Sequence, residues 1–130
     1  LPETAQLWDT SLASTLVAHG PEAQDRPFPS GPQRVVLSAS EPELLMQELA
    51  NRGCNRVLWE CGPELAAAAI RQGCIQEVAA VVAPKLMGGV PARTPLGELG
   101  FTAMDQVLTG SLLSPERLGD DWLFQLRLTD

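Results

Sequence analysis

Val57-Leu58-Trp59-Glu60-Cys61-Gly62-Pro63-Glu64-Leu65 is the stretch on which the reading of this chain turns. A short apolar run, Val57-Leu58-Trp59, predicts a buried strand over Asn55–Glu60. Cys61-Gly62-Pro63 then predicts a tight turn. Pro63 suits the first position of a helix, where its missing N–H would have had no partner anyway. The helix is predicted to run through Leu65-Ala66-Ala67-Ala68-Ala69-Ile70 to Gly73, with alanines that let it lie close to a sheet. Glu77–Val82 reads as the next strand, stopped by Pro84. Strand, helix and strand over residues 53–83 imply parallel strands joined by a right-handed crossover.

Before this unit, Ala13–Ala18 is short and β-prone and reads as a strand ending at His19-Gly20. Residues 20–33 are rich in Pro and Gly, which predicts a surface loop. Arg34–Leu37 is a second short strand. Ser40-Glu41-Pro42-Glu43 has the form of a capping box, in which Ser40 would cap a helix and Glu43 would reach back to it. Leu44, Leu45 and Leu49 form that helix's apolar stripe, and Gly53 is its C-terminal cap. After Pro84, the Gly- and Pro-rich segment to Gly100 reads as a long loop. The chain is expected to close with two antiparallel strands, Met104–Leu113 and Trp122–Leu128, turned by Pro115 and Gly119-Asp120.

The 130 residues suit one domain, with 45% hydrophobic residues and three cysteines. The net charge is −7 and Lys85 is the only lysine. An acidic surface repels phosphate backbones and anionic lipid, which argues against nucleic-acid and membrane partners. The longest apolar runs are far below the ~20 residues that span a bilayer. Cys54, Cys61 and Cys74 are an odd count without metal spacing, so no metal site is expected. They read as free thiols in a reducing, cytoplasmic setting. The chain opens Leu1-Pro2-Glu3 rather than with Met, which gives the expectation of a fragment or a processed chain.

A strand that passes through a glycine turn into a helix presents free backbone N–H groups and the positive end of the helix dipole. A phosphate can sit there without a side-chain cation. The same residues also fit an ordinary strand–helix turn. Glu60, at the carboxyl end of its predicted strand, can accept hydrogen bonds from sugar-like hydroxyls; it can equally be a solvated carboxylate. Lys85, in Ala83-Pro84-Lys85-Leu86-Met87-Gly88-Gly89, could face an anion or simply solvent. His19, the sole histidine, has the same two readings, a nucleotide-phosphate contact or an exposed loop residue. No Gly-x-Ser-x-Gly elbow accompanies it. Cys61 has no neighbouring base to activate it.

Taken together, Glu60-Cys61-Gly62-Pro63, Leu65, Gly73, Glu77, Pro84, Gly88-Gly89 and Gly119-Asp120-Asp121 resemble the reductase domain of the riboflavin-biosynthesis deaminase/reductases. The resemblance covers nearly the whole chain. It is densest from Val57 to Gly89. It implies an α/β fold similar to dihydrofolate reductase: a mixed sheet with flanking helices and a C-terminal antiparallel hairpin. It also implies NADPH-dependent reduction of 5-amino-6-ribosylaminouracil 5′-phosphate to the ribityl compound.

On that resemblance Glu60 contacts substrate. Cys61, Gly62, Pro63 and Glu64 border the cofactor, and Ala18 and His19 match a segment near its adenine ribose. Cys61 stands where the family has the first glycine of a pair. The family's opening strand, its Gly-x-x-Thr turn and the zinc-binding deaminase half have no counterpart in these residues. The expectation is therefore an N-terminally truncated single domain, 1–130, with an incomplete active site. A homodimer joined through Trp122 and Leu123-Phe124 is expected, because bare sheet edges favour pairing. Two alternatives accompany this reading: a fragment that folds and dimerises without chemistry, and a same-fold reductase of another pyrimidine or pteridine.

Overall fold

The computed structural model describes residues 4–89 and 94–128. The chain divides into two compact units, Leu1–Arg56 and Val57–Asp130. The first holds strands β1 (Leu16–His19) and β2 (Gln33–Val36) and helix α1 (Pro42–Asn51). The second holds helix α2 (Pro63–Arg71) and strands β3 (Glu77–Val82), β4 (Gly110–Leu112), β5 (Glu116–Leu118) and β6 (Asp121–Leu128). The fold is mixed α/β, with a parallel and an antiparallel sheet, as the sequence leads one to expect.

In the first unit β1 and β2 pair in parallel, with Leu16 opposite Gln33 and His19 opposite Val36. The connection is the Pro-rich segment, which contains one 3-10 turn at Pro21–Ala23. Helix α1 starts with Pro42 and stops where expected. Gly53 adopts a φ of +85°, and Gly53 and Cys54 donate N–H bonds to Ala50 and Leu49. That is the Schellman arrangement, which glycine enters without a Cβ penalty. The capping box, however, does not form. Glu41 is the N-cap residue, and the Ser40 hydroxyl donates instead to the Glu22 carboxylate at 2.7 Å. A local cap was replaced by a bond across 18 residues, a competition that spacing alone does not reveal.

In the second unit β6 is the centre of a four-stranded sheet. It pairs antiparallel with β3 over six residues, from Glu77 opposite Arg127 to Val82 opposite Trp122. Its other edge takes β4 towards the C-terminus and β5 towards the N-terminus. The closing hairpin is thus present, as β5 and β6 around Gly119-Asp120. The strand read at Met104–Leu113 is shorter than expected: Met104–Gln106 is a 3-10 turn and only Gly110–Leu112 joins the sheet.

The strand read at Asn55–Glu60 is not formed. Among the described residues this segment enters no ladder, and Leu58 is 78% exposed. Its apolar run creates a demand for burial, but a strand also needs a partner for its row of N–H and C=O groups. β3, the partner expected on the other side of a crossover, pairs antiparallel with β6 instead. The parallel pair of this molecule is β1 with β2.

Helix α2 carries the most buried apolar residues described, Ala67 (2% exposed) and Ala69 (0%). It ends, like α1, in a Schellman motif, with Gly73 and Cys74 bonding back to Ile70 and Ala69. The apolar residues of β3 and β6 are more open than a buried-strand reading implies. Val82 is 50% and Trp122 45% exposed.

Candidate functional site

The turn from Glu60 to Glu64 leads directly into α2, with Gly62 as N-cap residue and Pro63 in the first turn. No side chain caps this end. The first N–H to bond back within the helix is that of Ala66, to the Gly62 carbonyl at 3.0 Å. Pro63 has no N–H, so the amides of Glu64 and Leu65 are left without intrahelical acceptors. They point along the positive end of the helix dipole. A Cβ placed on Gly62 would meet nothing within 4 Å, so the backbone is open to a ligand. Glu60, Gly62, Pro63 and Glu64 are exposed and Cys61 is half-buried.

These features test how a dinucleotide would fit. Open backbone at a glycine and two free amides suit a phosphate. The Glu60 and Glu64 carboxylates suit hydroxyls and repel a phosphate placed on them directly. The chemistry of the turn thus matches an anion at the amides and sugar hydroxyls at the carboxylates. The Cys61 side chain, where the resembled pattern has a glycine, is half-buried next to the open position of Gly62.

Gly97, which drew no notice inside the segment read as a long loop, supports the turn from beneath. Its N–H donates to the Pro63 carbonyl at 3.0 Å. A Cβ on Gly97 would lie 2.9 Å from that oxygen and 3.5 Å from the Ala67 side chain. The first turn of α2 is thus seated on a position that admits only glycine. Nothing local in the sequence marks Gly97, because the contact spans 34 residues.

His19 lies in the first unit, at the end of β1, apart in sequence and unit from the Glu60–Glu64 turn. It is not an open loop histidine. Arg34 Nε donates to His19 Nε2 at 2.6 Å, and His19 Nδ1 lies 2.6 Å from the Gly20 carbonyl. Arg34 stands opposite Val17 in the ladder, which puts it on the same face as His19, two residues on. Arg34 also donates through Nη2 to the carbonyls of Ala23, at 2.7 Å, and Gln24. Its guanidinium carbon lies 5.4 Å from the centre of the Phe28 ring, and Phe28 meets Trp8 edge-on. The Ser40 hydroxyl bond holds the Glu22 carboxyl below the usual glutamate range. Ala18, the other residue of this segment, is half-buried on β1.

Lys85 is exposed. It borders an open cavity of about 670 Å³ with Pro84, Arg117, Asp120, Asp121 and Trp122. Two carboxylates beside two cations leave no net attraction for an anion there. Gly88 and Gly89 are exposed, and residues 90–93 of the same segment lie outside the described residues. Among the described residues no helix is long and apolar enough to cross a membrane.

A glycine turn with open backbone donors at the head of a helix, on a mixed α/β scaffold, is the kind of position at which proteins hold anionic ligands. Comparison with known proteins makes this particular. A sequence model of the RibD C-terminal domain matches residues 1–124. The riboflavin biosynthesis protein RibD of Synechocystis is 46% identical over 129 residues, covering 95% of this chain and 35% of that protein. The chloroplastic riboflavin biosynthesis protein PYRR of Arabidopsis thaliana is 39% identical over 127 residues, covering 95% of this chain and 21% of that protein. A solved structure of Acinetobacter baumannii RibD superposes with a TM-score of 0.79 at 27% identity, covering 99% of this chain and 35% of that one. The chain belongs to the RibD C-terminal domain family. It spans about a third or less of the length of these relatives.

Proposed function

We propose that this chain is reductase machinery of riboflavin biosynthesis, which reduces 5-amino-6-ribosylaminouracil 5′-phosphate to its ribityl counterpart with NADPH. The observation that carries the reading is the open glycine turn at the head of α2, within a chain that belongs to the RibD C-terminal domain family. NADPH, when bound, supplies the hydride. The protein's part is to place the two ligands. The amides of Glu64 and Leu65 hold a phosphate, with Cys61, Gly62 and Pro63 bordering the cofactor. Glu60 accepts hydrogen bonds from substrate hydroxyls. His19, whose ring nitrogens are engaged with Arg34 and Gly20, is given no ligand contact in this proposal.

The test is a calorimetric titration with NADPH, with NADH alongside, of the protein and of Gly62→Trp. Saturable binding weakened about a hundredfold by the substitution, ~2.7 kcal/mol, supports the turn as the cofactor site. Equal binding by both proteins removes it.

The fragment reading, in which the chain folds and pairs without chemistry, is favoured by one specific observation. Val78, Ala80 and Val82 of β3 stand opposite Leu126, Phe124 and Trp122 of β6, so one sheet face is wholly apolar at these positions, and its Val82–Trp122 end is open. A homodimer that covers this face is the corresponding proposal. Sedimentation of the protein and of Trp122→Lys decides it: a dimer converted to monomer supports pairing, and a wild-type monomer ends it.

A further inference from the structure

The His19–Arg34 contact has only one chemically consistent protonation pattern. A guanidinium has no acceptor, so His19 Nε2 must accept from Arg34 Nε–H. A carbonyl has no donor, so His19 Nδ1 must carry the proton that bonds to Gly20. The imidazole is therefore neutral, with its proton on Nδ1. Protonation of Nε2 would set two donors and two positive charges against each other at 2.6 Å. The same Arg34 carries the loop that follows β1, through Nη2 to the Ala23 and Gln24 carbonyls and over the Phe28 ring.

We propose that His19 and Arg34 form a pH-sensitive latch that fastens residues 20–28 to the end of β1 and β2 while the imidazole is neutral and releases them when it is protonated. The charged groups around the ring are Arg34 on β2 and Glu22 on the 3-10 turn. Glu22 is itself acted on by Arg26 and bonded by Ser40. Glu22 interacts with His19 by charge, and Arg34 bonds the ring directly. The direct bond decides, because acceptance at Nε2 and protonation at Nε2 exclude one another. The latch lies within the first unit and does not depend on any ligand reading of the second.

The test combines imidazole 15N shifts of His19 with amide exchange, as protection factors, at Ala23, Gln24 and Arg26. Their N–H groups bond to Gly20, Pro21 and Ala23. At pH 8 the ring is expected as the Nδ1–H tautomer. Once lowering the pH places a proton on Nε2, the three protection factors are expected to fall by about tenfold per further pH unit, while those of α1 hold. In His19→Gln an amide oxygen can accept from Arg34 at every pH, and the fall disappears. An Nε2–H tautomer or an imidazolium at pH 8 overturns the proposal on the wild-type protein alone. So does an equal fall in His19→Gln.

Discussion

Two turns of this molecule, each after an apolar run, meet the same physical problem and solve it differently. Past Trp59 the backbone enters α2 with no side-chain cap, an open Gly62 and two amides without intrahelical acceptors. Past β1 the backbone enters a Pro-rich loop whose carbonyls are taken by Arg34, whose histidine is locked between Arg34 and Gly20, and whose Glu22 is taken by Ser40. One region leaves its polar groups open; the other engages them within the chain. The difference separates the proposed ligand site from a structural fastening, although both sit at a glycine after an apolar run.

The contrast can be attacked by substitution. The largest effect is expected beneath the open turn. In Gly97→Val the new side chain meets the Pro63 carbonyl, and stability should fall by about 1–3 kcal/mol in denaturant unfolding, as for other overpacked sites. An unchanged midpoint would mean that the turn is not seated on Gly97. Arg34→Met comes next. It strips acceptors of their donor in a part-buried setting and should cost about 1–2 kcal/mol. Glu64→Gln, in the open turn, should stay within about 0.5 kcal/mol. Equal costs for the two would erase the contrast.

A smaller effect concerns Glu22, whose carboxyl is held below the usual glutamate range chiefly by the Ser40 hydroxyl. A depressed folded value means that the stabilisation is present above the unfolded value, near 4.5, and is lost as pH falls through the lower folded one. In Ser40→Ala the 13C titration of Glu22 should move up towards the ordinary value. A titration that does not move would leave the Ser40 bond without influence on the loop.

Much of this was legible in the sequence, and the rest was not for identifiable reasons. Helix ends were legible because they are local: Pro42, Gly53, Pro63 and Gly73 act through their own φ and N–H. The Gly119 hairpin was legible for the same reason. Partner choice was not. The Val57-Leu58-Trp59 run states a preference for burial and leaves open which strand would pair with it, and β3 pairs with β6. Ser40 carried a capping signature and bonded to Glu22 instead. Of the candidate site, the Glu60–Glu64 turn was visible from its Gly-Pro punctuation. Gly97 and Arg34 were not, because each acts on residues 34 and 15 positions away through a fold that no local pattern encodes.

The most direct measurement is an NADPH titration followed by backbone amide shifts across both units. The account expects the largest movements at the Glu64 and Leu65 amides, with the Ala23, Gln24 and Arg26 amides of the fastened loop nearly still. Shifts confined to that loop, or none at millimolar cofactor, would reverse the assignment of the two regions.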